Sequence, residues 1–129
     1  MVLFNAKYPP FIKGFKHLSK RYPSLEKDFE RFKKALEIDG EKLTGLVRLQ
    51  LGDISGKFYK ARKFRCKSLN KGSSGGIRVI LSFLEKDSEI VINFIEIYFK
   101  GDKDNHDPLL IVHFLEEPSY NTESEKKAL

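Results

Sequence analysis

The segment Glu89–Phe99, EIVINFIEIYF, constrains the fold more than any other stretch. Read as a strand, it puts Ile90, Ile92 and Phe94 on one side and Val91, Ile95 and Ile97 on the other. A strand apolar on both sides is buried on both, so it belongs in the middle of a sheet that is covered twice. Ile77–Leu84 precedes it, and the polar link Glu85–Ser88 is short enough for an antiparallel hairpin. Lys57–Arg65 supplies a third strand and Val2–Asn5 a short first one. Within residues 41–56, Val47, Leu49 and Leu51 alternate with Arg48 and Gln50, as in a strand or an extended arm. Gly52-Asp53 and Ser55-Gly56 then punctuate the chain.

Helices cover such a sheet. Pro9-Pro10 opens the first, because proline suits an initial helical turn. Phe11, Phe15, Leu18 and Tyr22 recur at i, i+4, i+7 and i+11, giving one apolar stripe, and His17 falls outside it as a surface residue. Pro23 ends this helix and Ser24 is placed to cap the next, with Glu26 near its positive end. Leu25, Phe29, Phe32 and Leu36 form the second stripe, and Gly40 is its stop signal. The spacing makes both stripes core rather than base-stacking surface. Asp107 and Pro108 read as cap and first turn of a last helix, Leu109–Glu117, stopped by Pro118. Its LLIVHFL run is apolar nearly all round, with His113 expected among the packing residues. The reading is one α+β domain over residues 1–117: an N-terminal helical hairpin packed on a small, mainly antiparallel sheet, with a C-terminal helix. Residues 118–129 form a polar tail.

Charge is distributed unevenly along the chain. The whole sequence has 24 Lys+Arg against 18 Asp+Glu. Between Lys57 and Arg78 lie Lys57, Lys60, Arg62, Lys63, Arg65, Lys67, Lys71 and Arg78, and no acid. Removing these eight leaves 16 against 18, so the rest of the chain is nearly neutral. Such a field points to a polyanionic partner, because neutralised phosphates release counterions. Lys60 and Arg62 fall on one side of their strand, Arg78 opens the next and Lys100 follows the third. These four cations are therefore expected to converge. The loop from Lys71 through GSSGG offers hydroxyls and backbone N–H groups to phosphate but lacks the Walker pattern. Ser68, Ser73 and Ser74 have no histidine or acid at nucleophile spacing. Asp102, Asp104 and Asp107 lack the calcium-loop spacing. Cys66 is the only cysteine, which fits a reducing compartment and gives no metal-ligand pattern. The start, MVLFNAKYPPFIKG, lacks the apolar core of a signal peptide, and no run reaches membrane-spanning length. No cofactor, metal or membrane partner is expected, and the expected location is the cytoplasm.

Four segments occur in an order that resembles the RelE/ParE superfamily of bacterial toxins. They are LSKRYPSLEKDF (Leu18–Phe29), YKAR (Tyr59–Arg62), KGSSGGIRVI (Lys71–Ile80) and IYFKGDKDN (Ile97–Asn105). The resemblance covers residues 8–117 and implies a RelE-like fold, similar to the microbial ribonucleases. It implies the toxin of a type II toxin–antitoxin pair: an mRNA interferase that cuts messenger RNA on the ribosome, translation being inhibited as a result. The chemistry it implies is metal-independent attack of a ribose 2′-OH on the adjacent phosphate. By position in the motifs, the catalytic set is Lys60, Arg62, Arg78 and Lys100, with His106 a looser match. Lys60 is the expected base, Arg62 orients the phosphate, and Arg78 stabilises its growing charge. Lys100 or His106 protonates the leaving oxygen. Lys57, Lys63, Arg65, Lys67 and Lys71 are expected RNA-binding residues, with contacts to ribosomal RNA. The implied partner is a cognate antitoxin covering the basic face or the apolar last helix. Two other functions stay open: a ParE-type DNA gyrase inhibitor that cuts nothing, and a non-catalytic RNA-binding protein. The chain departs from the family pattern in its longer segment 40–56 and in Ile77 before the arginine.

Overall fold

Among the described residues, apolar alternation and helical stripes assemble into five strands and three α-helices in an α+β arrangement. The structure is a computed structural model and describes residues 1–69 and 76–117. Residues 70–75, which include Lys71, Ser73 and Ser74 of the glycine-rich loop, together with Pro118 and the tail, lie outside the described residues. In chain order the elements are β1 (Val2–Asn5), α1 (Pro9–Arg21), α2 (Leu25–Asp39), β2 (Leu46–Arg48), β3 (Lys57–Ala61), β4 (Ile77–Lys86), β5 (Glu89–Phe99) and α3 (Pro108–Glu116). The sheet order is β1-β5-β4-β3-β2. It is mixed: β1 runs parallel to β5, and the other neighbours are antiparallel. The β4–β5 hairpin closes on Asp87-Ser88 alone, both at positive φ, so the strands run further than the polar link suggested.

The helical hairpin lies on one face. Phe11 and Phe29 close on Phe94 with ring centroids 5.6 and 4.8 Å away, and Phe4 of β1 stacks on the same ring at 6.1 Å. Each such aromatic contact is worth about 0.5–1.5 kcal/mol beyond the area it buries. Gly14 lets α1 approach β5 closely, because a Cβ there would sit 2.7 Å from the Ile97 carbonyl oxygen. Against the other face, α3 contributes buried Ile111 and Phe114. Tyr8 ties α3 to the start of α1, through its ring against Phe114 and its hydroxyl to the Leu110 carbonyl at 2.9 Å. Beneath lies a buried polar row, with Asn5 donating to Asn93 at 2.9 Å and Asn93 to Ser82 at 3.2 Å.

Four local expectations change. First, β5 does not alternate uniformly. Ile80 pairs with Glu96 and Leu81 with Phe94, leaving Ile95 as an extra residue in a β-bulge. The bulge resets the parity, so Phe94 and Ile97 both meet the helices while Glu96 and Tyr98 turn to the opposite side. Second, β3 stops at Ala61 rather than Arg65, because Phe64 and Cys66 leave the strand line to enter the core. Third, Ser24 does not cap α2 through its side chain. Its hydroxyl donates to buried Asp28 at 2.6 Å and accepts from the Ser68 N–H at 2.9 Å, fastening α2 to the segment after β3. Fourth, His113 is exposed rather than packed, and α3 keeps Leu109 and Leu115 on its open side. Among the described residues, no helix is long and apolar enough to cross a membrane.

Candidate functional site

The sheet face opposite α1 and α2 carries the charge. Lys60 of β3 lies opposite Ile80 of β4, and Arg78 of β4 lies opposite Tyr98 of β5. Because Arg78 and Ile80 are two residues apart, all four side chains share one face. Arg62 follows β3 directly, held by its N–H to the Gly45 carbonyl at 2.9 Å. Lys100 follows β5, held by its N–H to the Gly76 carbonyl at 2.7 Å. Positive φ at Gly45 (93°) and Gly76 (102°) gives the backbone the geometry for these two ties. Lys60, Arg62, Arg78 and Lys100 then line one open hollow of about 200 Å³ with Tyr98, Asp104, Val47 and Leu49. Four cations and one acid around so small a volume form a seat for an anion.

Burial sets the chemistry of each group. Arg78 is only 9% exposed and donates to the Ile77 carbonyl at 3.3 Å. Its guanidinium is thereby held as a fixed charge at the floor. Partial burial, then Arg62, Arg78 and Lys100, draw the Lys60 ammonium below the ordinary lysine range, and Glu96 opposes them. Burial, with help from Glu96, raises the Tyr98 phenol, which keeps it protonated. Glu96 is itself buried; it pairs with Lys103 and accepts the Asp107 N–H at 2.9 Å, anchoring the start of α3. Asn105 reaches Lys60 Nζ at 2.6 Å and joins His106 to the cluster. Burial and the nearby Lys60 charge lower the His106 imidazole from its usual range.

The five expected catalytic residues thus meet, four around the hollow and His106 beside them through Asn105. The expected RNA-binding set does not stay together. Lys57 pairs with Glu41 at 3.4 Å on the helix side, while Lys63 and Arg65 line a separate hollow of about 210 Å³ with Arg31 of α2. Lys67 lies in a short 3-10 turn whose N–H binds Asp28 at 3.1 Å, and Lys71 lies outside the described residues. The three loop aspartates also go separate ways. Asp102 binds Arg21 at 2.5 Å, Asp104 rims the hollow, and Asp107 caps α3 through the Leu109 N–H at 3.0 Å.

Tyr98, Glu96 and Asn105 escaped the sequence reading. The first two sit beyond the bulge, where uniform alternation misassigns the side they face. Asn105 closes the IYFKGDKDN segment and carries no charge to attract notice. Comparison with protein-family models, with curated proteins and with solved structures gave no match.

Proposed function

We propose that the hollow binds and cleaves an RNA phosphodiester, and that the chain is an mRNA interferase of the RelE-like kind, the toxin of a toxin–antitoxin pair. The observation that carries this reading is the meeting of Lys60, Arg62, Arg78 and Lys100, from separate segments, around a single hollow. In this mechanism a ribose 2′-oxygen attacks the neighbouring phosphorus and the 5′-oxygen leaves, giving a 2′,3′-cyclic phosphate and a 5′-OH. Negative charge grows on the nonbridging oxygens as this happens. Arg78, rigid and desolvated, is the donor suited to that charge, and loss of one such donor costs roughly a hundred- to a thousandfold in rate. Arg62 orients the phosphate through its planar fork. Lys100, exposed at the rim, anchors the chain of phosphates. Lys60 and His106 are the titratable pair suited to proton transfer, both drawn below their ordinary ranges by burial first and then by neighbouring cations. The proposed substrate is messenger RNA on the ribosome, in the cytoplasm. The proposed regulator is an antitoxin, whose acidic residues would occupy the same cations or whose apolar residues would cover Leu109 and Leu115 of α3.

Brief induction in a bacterial host, followed by mapping of transcript ends, tests the proposal. New 5′-OH ends within messages are expected, and Arg78→Ala should abolish them and relieve growth arrest while circular dichroism stays unchanged. Intact messages with DNA damage would replace this reading with gyrase poisoning. Intact messages and intact DNA, with RNA still bound, would reduce the site to a binding surface.

A further inference from the structure

Asn105 joins the two titratable groups of the site. Its Oδ1 receives the Lys60 ammonium at 2.6 Å, the His106 backbone N–H at 3.0 Å and the His106 ring nitrogen Nδ1 at 3.0 Å. Lys60 Nζ and the backbone N–H are donors, so the atom facing them is the amide oxygen. Flipping the amide would turn its NH₂ group against both. An amide oxygen cannot donate. The ring nitrogen that faces it therefore carries the hydrogen, and in the neutral ring Nε2 is left with the free lone pair. Free histidine prefers the other tautomer, so this proton placement is imposed by a neighbour.

We infer that Asn105 is a positioning residue that fixes the His106 proton on Nδ1 and ties the Lys60 ammonium to the same oxygen, so that His106 accepts the 2′-OH proton and Lys60 protonates the leaving oxygen. The assignment of proton roles rests on the nuclease reading; the proton placement does not. In the step, the 2′-OH proton moves to Nε2, the O2′–P bond forms and the P–O5′ bond breaks. A proton from Lys60 Nζ goes to the 5′-oxygen. Solvent afterwards takes one proton from His106 and returns one to Lys60, restoring the starting state. This reverses the role that the motif resemblance gives Lys60. The reason is geometric: an ammonium held by a hydrogen bond to a neutral oxygen keeps its proton until a stronger base, the leaving alkoxide, arrives. The groups that bias His106 come from several elements: Lys60 from β3, Glu96 from β5, and Lys103 and Asp107 from the loop before α3. Lys60 and Lys103 favour the neutral ring, and the two acids oppose them.

Ring-nitrogen NMR shifts of the full-length chain labelled with ¹⁵N-histidine test the placement. The sequence has three histidines, and His106→Gln assigns the signal. At neutral pH, His106 should show hydrogen on Nδ1. Asn105→Ala should move it toward Nε2, whereas Asn105→Asp, which keeps an acceptor and adds charge, should retain Nδ1–H and raise the titration midpoint. In cleavage assays, Asn105→Ala should lower kcat roughly ten- to a hundredfold with little change in KM, below the ~100- to 10,000-fold range of a general base itself. Asn105→Asp should shift the acidic limb of the pH profile upward. Hydrogen on Nε2 in the unmodified chain, or unchanged shifts in Asn105→Ala, would overturn the placement even if RNA is cut. Failure of the unmodified chain to cut RNA would overturn the proton roles, and the nitrogen shifts would still decide the placement.

Discussion

The sheet face under α1 and α2 is closed by rings and aliphatic chains, with Phe94 fully buried between Phe11 and Phe29. The opposite face carries Arg78 and Glu96 below the surface and Lys60, Arg62 and Lys100 around an open hollow. The same strands build both. Hydrocarbon burial stabilises the first face by about 25 cal/mol per Å² removed from water. The second gains little from its charges: like-charged neighbours repel, and Arg78 and Glu96 have lost solvation that their hydrogen bonds and the Lys103 ion pair must offset. α3 adds apolar packing to part of this second face, but around the hollow four cations meet one acid, Asp104, which leaves a surplus of positive charge that the proposed anionic substrate would balance.

The contrast is sharpest in substitutions that touch one face only. Phe94→Ala empties the ring cluster and should lower stability by about 3–5 kcal/mol, read as the shift of the urea midpoint at constant slope. A smaller effect would mean that α1 and α2 settle onto β5 and refill the space. Gly14→Ala should cost about 1–3 kcal/mol through overpacking. Its new Cβ meets the backbone oxygen of Ile97, which cannot swing aside, and this outweighs the gain of about 1 kcal/mol that alanine brings to an open helix. A stabilised Gly14→Ala protein would show that α1 rides freely over the sheet.

The smallest effect belongs to the charged face and depends on pH. The His106 midpoint lies below its unfolded value, so on acidification the unfolded chain takes up its proton first. Stability should therefore fall as pH drops from about 6.5 through the folded midpoint, and His106→Gln should flatten that part of the Tm–pH curve. A curve unchanged by His106→Gln would place the imidazole in open solvent, away from Lys60.

Local interactions made much of the fold legible. The stripes Phe11–Phe15–Leu18–Tyr22 and Leu25–Phe29–Phe32–Leu36, bounded by prolines and Gly40, became α1 and α2 because helix periodicity and stop signals act over a few residues. Asp107-Pro108 opened α3 for the same reason. Lys60, Arg62 and Arg78 stand in a run without acids, and motif position singles out the same three together with Lys100. The run does not bring Lys57, Lys63 and Arg65 to the same hollow. Adjacent positions in a chain alternate across a sheet, and beyond Ala61 the pull of Phe64 and Cys66 into the core redirects the backbone.

What the sequence determined by itself, then, was the inventory: which segments are helical, which are extended, and which charges are in surplus. The tertiary structure decided which charges meet. The bulge at Ile95 exists only in the pairing of β5 with β4, where Ile80 meets Glu96 and Leu81 meets Phe94. That extra residue turns Glu96 and Tyr98 toward Arg78. The loop carrying Asn105 reaches Lys60 across a sequence separation of 45 residues. Such contacts cost loop-closure entropy and are rewarded only when the whole sheet forms, so no short stretch of sequence encodes them.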